Sequence, residues 1–119
     1  MNTLIPGSDR TPTISFQDGV FSITGRSYME NSVEFYMPVK RLIEEHQGPL
    51  QVEIGLDFFN TSSSKCIMDL LYIVDKKAVA GNKCHIKWSY KTDDDDMRDA
   101  AEEFRDLLKH VPVEIEEID

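Results

Sequence analysis

Short segments in which apolar and polar residues alternate are separated by longer segments with helical periodicity, and this order constrains the fold most. The alternating segments predict five strands, at residues 13–16, 20–25, 50–58, 84–90 and 111–116. Helical stripes between the last four strands predict three helices. Strands joined through helices run parallel, whereas Asp18-Gly19 between the first two strands indicates an antiparallel hairpin.

The first predicted helix carries signals at both ends and one conflict inside. Asn31 has the character of an N-cap, with Glu34 as its capping-box partner three residues later. Gly48-Pro49 stops the helix. Pro38 lies within the pattern, so the helix either kinks there or begins later, and the sequence leaves both alternatives open.

The other two helices begin in polar clusters. The second follows the capping residues 60–64 and ends at Gly81-Asn82, while the third opens with the acidic run 93–96. We interpret that run as a complement to the helix dipole, since consecutive aspartates at a helix start point in different directions and suit a metal ion poorly.

The alternation inside the strands also predicts how the layers are arranged. Strands covered by helices on both faces are continuous apolar runs, but these strands alternate. We therefore expect helices mainly on one face and a polar, solvent-facing side opposite. The predicted fold is one α/β domain over residues 1–119, an open-faced two-layer sandwich with a mixed five-stranded sheet in ββαβαβαβ order. Residues 1–11 form a loose or strand-like leader.

The charge balance excludes several classes of partner. The chain has 13 Lys and Arg against 22 Asp and Glu, a net charge of −9. Such a protein repels nucleic acids and anionic bilayers, and no basic patch is visible in the sequence. The N-terminus lacks the basic region and long apolar stretch of a signal peptide, so we expect a cytoplasmic protein. Cys66 and Cys84 are then two reduced, buried thiols.

Three polar segments follow the carboxyl ends of the parallel strands, at residues 26–31, 60–65 and 91–96. These ends share one edge of the sheet, the usual functional edge of such folds. The run of hydroxyl residues in 60–65 is either a plain helix cap or a phosphoacceptor, where the helix N-terminus favours an anion. Lys65, together with Arg26 or Lys91, supplies the few cations that could neutralise a phosphate there.

Catalytic and cofactor signals are weak in this sequence. His46, His85 and His110 are scattered, and no Ser-His-Asp or Cys-His set is suggested by their positions. The chain contains no phosphate-binding loop and no dinucleotide-binding glycine pattern. We therefore predict no catalytic residue, no metal site and no cofactor.

Two adjacent phenylalanines, Phe58 and Phe59, close the strand at 50–58. Neighbouring side chains of a strand point to opposite faces, so one of the two leaves the core. Phe59, next to the hydroxyl residues of 60–65, is a candidate anchor for a partner unless the strand has already ended there.

Several motifs of this chain resemble the SiaC family of bacterial regulatory phosphoproteins. They are G-R-S-Y-M-E-N-S (25–32), E-F-Y (34–36) with Pro38-Val39, and F-N-T-S-S-S-K (59–65) with Met68-Asp69. The resemblance extends over nearly the whole chain, and N-T-S-S is its most specific element. Met29 stands where the family pattern has proline.

The resemblance implies a STAS-like partner-switching regulator that is not itself an enzyme. A Ser/Thr kinase with a histidine-kinase-like ATP-binding fold phosphorylates the threonine of N-T-S-S, which is Thr61 here, and a PPM-type phosphatase removes the phosphate. The unphosphorylated form binds and activates a diguanylate cyclase, raising cyclic di-GMP and favouring biofilm or aggregation. The partner-binding residues implied by these motifs are Tyr28, Glu30, Asn31, Phe59, Asn60, Ser62, Ser63, Ser64 and Lys65.

Alternative functions remain open at this point. The chain could be an anti-sigma-factor antagonist that binds an anti-sigma kinase, or a structural adaptor indifferent to phosphate. An enzyme that uses a hydroxyl of the segment 60–65 as its nucleophile would need a nearby base. Spacing alone does not decide whether Thr61 or a neighbouring serine accepts phosphate.

Overall fold

The computed structural model describes residues 2–119, and its strands form one mixed six-stranded sheet. The elements in chain order are β1 (Thr3–Ile5), β2 (Thr13–Gln17), β3 (Val20–Ser27), α1 (Ser32–Glu45), β4 (Leu50–Phe59), α2 (Thr61–Val79), β5 (Cys84–Lys91), α3 (Asp95–Leu107) and β6 (Val113–Ile118). The strands lie side by side in the order of the chain. The β1–β2 and β2–β3 pairs are antiparallel and the remaining pairs are parallel.

The predicted order ββαβαβαβ is confirmed from β2 onward, but the predicted count of five strands is wrong. Part of the leader, Thr3–Ile5, pairs antiparallel with β2 and adds a sixth strand at the edge. Three residues are too few to show a period of two, so hydrogen bonding to β2 defines this strand rather than its own pattern. A STAS-like strand arrangement stays a prediction.

The central strands bury one face and leave the other partly open, as their alternation predicts. In β4 the side chains of Leu50, Val52, Ile54 and Leu56 are buried, while the residues between them are half-buried. Burial of each such aliphatic side chain contributes about 1.5–3 kcal/mol. On β5, Trp88 is completely buried and stacks on Phe104 of α3, with ring centroids 5.0 Å apart.

A β-bulge changes which phenylalanine at the end of β4 faces the core. Gly25 pairs with Leu56 but Arg26 pairs with Phe58, so Asp57 is the extra residue. Strict alternation along β4 would place Phe58 inside and Phe59 outside, and the bulge reverses this order. Phe59 packs toward the rings of Trp88 and Phe104 at centroid distances of 6.4 and 6.1 Å, whereas Phe58 is 41% exposed.

Helix α1 begins at Ser32, well before Pro38, so of the two open alternatives the later start is wrong. Asn31 occupies the N-cap position, but its side chain caps no backbone N–H. The Asn31 amide instead donates to the Glu34 carboxylate, which replaces the predicted capping box by a side-chain pair. Since Pro38 has no N–H, the Glu34 carbonyl lacks its usual helical partner.

The other two helices are capped as their polar clusters predict. The Asn60 side chain accepts the Ser63 N–H at 2.9 Å, and the Asp94 side chain accepts the Met97 N–H at 3.1 Å. Gly81, with φ of +99°, follows the end of α2. The acidic run before α3 therefore includes an ordinary N-cap.

The two cysteines, Cys66 on α2 and Cys84 on β5, are buried and unbridged, as predicted. Burial raises the pKa of both thiols, which keeps them neutral near pH 7. Along residues 2–119 no helix combines the length and apolar character that a membrane span requires.

Candidate functional site

Two of the three predicted edge segments meet directly. The Met29 carbonyl accepts hydrogen bonds from the Asn60 amide at 3.0 Å and from the Ser62 hydroxyl at 3.3 Å. The Asn60 N–H in turn donates to the Ser27 carbonyl at 3.0 Å. Because one carbonyl receives two donors from the start of α2, the loop before α1 is held against that helix end.

The third segment, 91–96, stays apart from this contact. Among the hydrogen bonds and ion pairs described for residues 2–119, none joins it to 60–65. Lys91 pairs with Asp57 at 2.8 Å, and that hydrogen bond and charge raise the pKa of Lys91. The positive charge of Lys91 is therefore already balanced by Asp57, and Lys91 is not a free cation for a phosphate near Thr61.

A largely buried chain of hydroxyls lies beneath the junction of these two segments; we call Ser27, Ser32, Tyr36, Ser62 and Ser63 the hydroxyl cluster. Ser27 Oγ lies 2.6 Å from Tyr36 Oη and donates to Ser63 Oγ at 2.7 Å. Ser32 Oγ lies 2.7 Å from Ser62 Oγ and 3.3 Å from Ser63 Oγ. The cluster thus joins the end of β3, the start of α1 and the start of α2.

Three members of this cluster are serines with essentially no exposed surface, namely Ser27, Ser32 and Ser63. A buried hydroxyl is costly without a partner, at about 1–3 kcal/mol, and each of these three has at least two hydroxyl or carbonyl contacts. The cluster therefore specifies one geometry at the junction.

Sequence reasoning did not single out Ser27, Ser32 or Tyr36 as site residues. The sequence did contain a signal for these residues. Ser27 lies an even number of residues after Phe21 and Ile23 and so faces the core like them, and Ser32 precedes Tyr36 by one helical turn. Polar residues at apolar positions on two successive elements indicate a shared buried network.

The ionisation of Tyr36 provides a test of the cluster. Burial raises its pKa to about 12, against the lowering effect of the Ser27 hydrogen bond. Because the unfolded chain releases this proton near pH 10, the stabilisation is complete below pH 10 and is lost as the pH rises toward 12. We expect the wild type to lose about 2–3 kcal/mol more than Tyr36→Phe across this interval. Urea unfolding at pH 9, 10, 11 and 12 measures the difference, and parallel curves would contradict it.

Thr61 is the first residue of α2, and its side chain is exposed. Among the hydrogen bonds of residues 2–119, none involves its hydroxyl. The N–H groups of Thr61 and Ser62 lie in the first turn, where no carbonyl of the same helix can accept from them. An exposed hydroxyl therefore lies beside backbone donors and the positive end of the helix dipole.

The serines after Thr61 differ from it and from one another. Ser63 is completely buried, so it holds the start of α2 and offers no surface to a partner, contrary to the expectation that it binds one. Ser62 is half-buried and bonded within the cluster. Ser64 is half-buried beside Phe59 and Lys65 in a groove between α2 and α3.

The remaining predicted partner-binding residues are distributed around this end of the molecule. Asn60 and Phe59 are half-buried, and Tyr28, Glu30, Asn31 and Lys65 are exposed. Arg26, a predicted cation for the phosphate, is placed differently. Its guanidinium lies over the Phe58 ring, 5.8 Å from the centroid. Lys65 remains as the cation one helical turn after Thr61.

The histidines and acidic residues are dispersed over the described part of the chain. Within the part of the chain that the structure describes, no group of three His, Cys, Asp or Glu side chains is placed to hold a metal ion. His85 faces the polar side of the sheet, with Nε2 3.5 Å from Glu114. His46 is the C-cap residue of α1, and its Nε2 lies 2.8 Å from the Pro49 carbonyl.

Solved structures share this architecture. SiaC of Pseudomonas aeruginosa is 31% identical, with a TM-score of 0.89 over 99% of each chain. A chain in the crystal structure of the diguanylate cyclase SiaD with its activator SiaC, from the same organism, is 33% identical. That match has a TM-score of 0.90 over 98% of this chain and 99% of that chain.

Sequence comparison agrees with the structural likeness. An uncharacterized protein of Pseudomonas aeruginosa (strain UCBPP-PA14) is 35% identical over 108 residues, which are 86% of this chain and 86% of that protein. The model of the family described as SiaC family regulatory phosphoprotein matches residues 5–118. The resemblance noted from the N-T-S-S segment and its companions is thereby confirmed, and the chain belongs to the SiaC family of regulatory phosphoproteins.

Proposed function

We propose that this chain is a partner-switching regulator whose unphosphorylated form binds and activates a diguanylate cyclase. Phosphorylation of Thr61 by a Ser/Thr kinase with a histidine-kinase-like ATP-binding fold blocks the binding, and a PPM-type phosphatase restores it. The observation that carries the proposal is the contrast between Thr61, exposed and unbonded within residues 2–119, and the buried or bonded serines beside it.

Accessibility favours Thr61 as the phosphoacceptor. A kinase must bring the acceptor hydroxyl in line with the γ-phosphate of ATP, which requires an exposed side chain. Ser63 would have to leave the hydroxyl cluster, and Ser62 would have to release Ser32 and Met29. Thr61 can be modified without breaking any hydrogen bond described for residues 2–119.

The position of Thr61 also suits a switch that changes binding rather than folding. A phosphate there adds about −1.5 to −2 charges next to free N–H groups and the positive end of α2. The isolated protein therefore tolerates it. An interface built around a neutral hydroxyl does not, because a buried charge without a partner is costly.

The diguanylate cyclase is proposed as the partner because a related protein of known structure binds and activates such an enzyme. SiaC of Pseudomonas aeruginosa is described as the activator of the cyclase SiaD and forms a complex with it. That structure matches this chain over nearly its full length. The extension to this chain rests on the shared fold and on the N-T-S-S segment.

Purification from the native bacterium tests the proposal directly. Wild type, Thr61→Ala and Thr61→Ser are used as baits, and mass spectrometry identifies both partners and phosphosites. We expect a diguanylate cyclase with all three baits and one phosphate on the peptide around residue 61 in wild type and Thr61→Ser only. Phosphate on Ser62 or Ser64 in the alanine variant would contradict the choice of acceptor, and absence of any cyclase would contradict the proposed partner.

A further inference from the structure

An exposed stack of two arginines and two aromatic rings lies on the open face of the sheet; we call Arg10, Arg26, Tyr28 and Phe58 the arginine–aromatic patch. The Tyr28 and Phe58 rings are 5.5 Å apart at their centroids. Arg10 lies 6.0 Å from the Tyr28 ring centroid, and Arg26 lies 5.8 Å from that of Phe58. Tyr28 and Phe58 are 46% and 41% exposed, so the stack lies open to solvent.

The patch is held in place by the backbone rather than by its own contacts alone. The Tyr28 N–H donates to the Arg10 carbonyl at 2.7 Å, which joins the leader to the end of β3. The loop around Arg10 is closed by Ser8 and Thr11, whose hydroxyl oxygens lie 2.8 Å apart. Phe58 and Arg26 are register partners beside the bulge. A surface ordered before binding loses less entropy when a partner docks.

The chain has a large excess of acid, yet no ion pair described for residues 2–119 includes Arg10 or Arg26. Asp57, adjacent to Phe58, is already paired with Lys91. Stacking on a ring covers the face of a guanidinium but leaves its edge N–H donors free, and these match a carboxylate in bidentate geometry. The sequence alone showed no basic patch because Arg10 and Arg26 are distant in the chain.

We propose that the arginine–aromatic patch docks an acidic segment of the diguanylate cyclase. This inference rests on the proposed function and adds a second contact area to it. Thr61 lies at the start of α2, in the helix layer. The patch lies at the same end of the sheet but on the open face, and its residue Phe58 precedes Thr61 by three positions. Tyrosine and arginine are enriched among the residues that dominate binding energy, and carboxylates are the complementary charge.

Charge reversal in pairs tests the patch. Arg10→Glu/Arg26→Glu is compared with Lys76→Glu/Lys83→Glu, two exposed lysines near the end of α2 that carry the same change in net charge. Affinity for the purified cyclase of the same organism is measured by calorimetry at 50 and 300 mM NaCl. We expect the arginine pair to weaken binding at least about 30-fold at low salt and to flatten its salt dependence. The lysine pair stays within about threefold of wild type.

The outcomes separate this inference from the proposed function. If wild type does not bind the cyclase, the proposed function fails. If wild type binds and the arginine pair binds equally well with an unchanged salt dependence, only the docking role of the patch is wrong. Equal weakening by both pairs would indicate general charge repulsion and would also overturn it. Arg10→Gln/Arg26→Gln removes both positive charges without adding acid, and it should give an intermediate loss of affinity. Thermal unfolding verifies that each variant is folded.

Discussion

Replacing Thr61 with aspartate is expected to weaken cyclase binding by about 2–5 kcal/mol, roughly 30-fold to several thousand-fold in Kd. The carboxylate lies where the complementary surface meets a neutral hydroxyl, and it would be buried there without a cation. The fold should respond in the opposite direction. An acid in the first turn of a helix stabilises it by about 0.3–1 kcal/mol, so the thermal midpoint stays level or rises slightly.

Two matched variants isolate the charge at residue 61. Thr61→Asn has nearly the shape of aspartate without its charge, and it should retain most of the affinity. Gln47→Glu adds the same charge in the exposed loop between α1 and β4, at the opposite end of the strands, and should bind normally. Titration calorimetry gives the affinities. Equal binding of Thr61→Asp and Thr61→Asn would remove the electrostatic basis of the switch.

The same substitution two residues later should destroy stability instead of binding. Ser63→Asp places a carboxylate in the hydroxyl cluster, where residue 63 has no exposed surface and its contacts are Ser27 and Ser32. We expect a loss of about 3–5 kcal/mol at pH 7, a large part of the stability of a small domain. The midpoint of thermal unfolding should fall by at least about 10 °C.

Acid provides the distinguishing measurement for this variant. A buried carboxyl has a raised pKa in the folded state, so the charge penalty applies above the unfolded value near 4 and disappears below it. The deficit of Ser63→Asp relative to wild type should therefore shrink between pH 7 and pH 4. Ser63→Asn, similar in size but neutral, should show a smaller deficit that does not change with pH. A pH-independent deficit in Ser63→Asp would mean that size, not charge, causes the loss.

The elements with long periodic patterns were predictable from sequence, and those fixed by tertiary pairing were not. The stripes of α2 and α3 and the alternation of β4 and β5 each extend over several repeats. Their type and order follow from hydrophobic periodicity alone. Strand β1 has three residues, and its formation depends on hydrogen bonds to β2. No local signal of that length distinguishes a strand from a loop.

The candidate site was predictable as a location but not as a geometry. The carboxyl edge of parallel strands and the polar segment 60–65 indicated where to look. Sequence could not separate the hydroxyl of Thr61 from those of Ser62 and Ser63, because helical phase decides which of them is buried. That phase depends on the extra residue Asp57 in β4. The alternation of β4 is regular up to Asp57, so the sequence pattern gives no sign of the bulge before Phe58 and Phe59.

The bulge at Asp57 has a consequence for how this segment can change in length. Without Asp57, Phe58 and Phe59 would follow Leu56 in regular alternation and keep Arg26 and Ser27 as register partners, so Phe58 would stay outside and Phe59 inside. A deletion or insertion after the bulge is different, because it would take Asn60 out of the position in which it both caps α2 and reaches the Met29 carbonyl. The bulge is therefore a place where this segment can lose a residue, whereas the stretch from Phe58 to Thr61 has a fixed length.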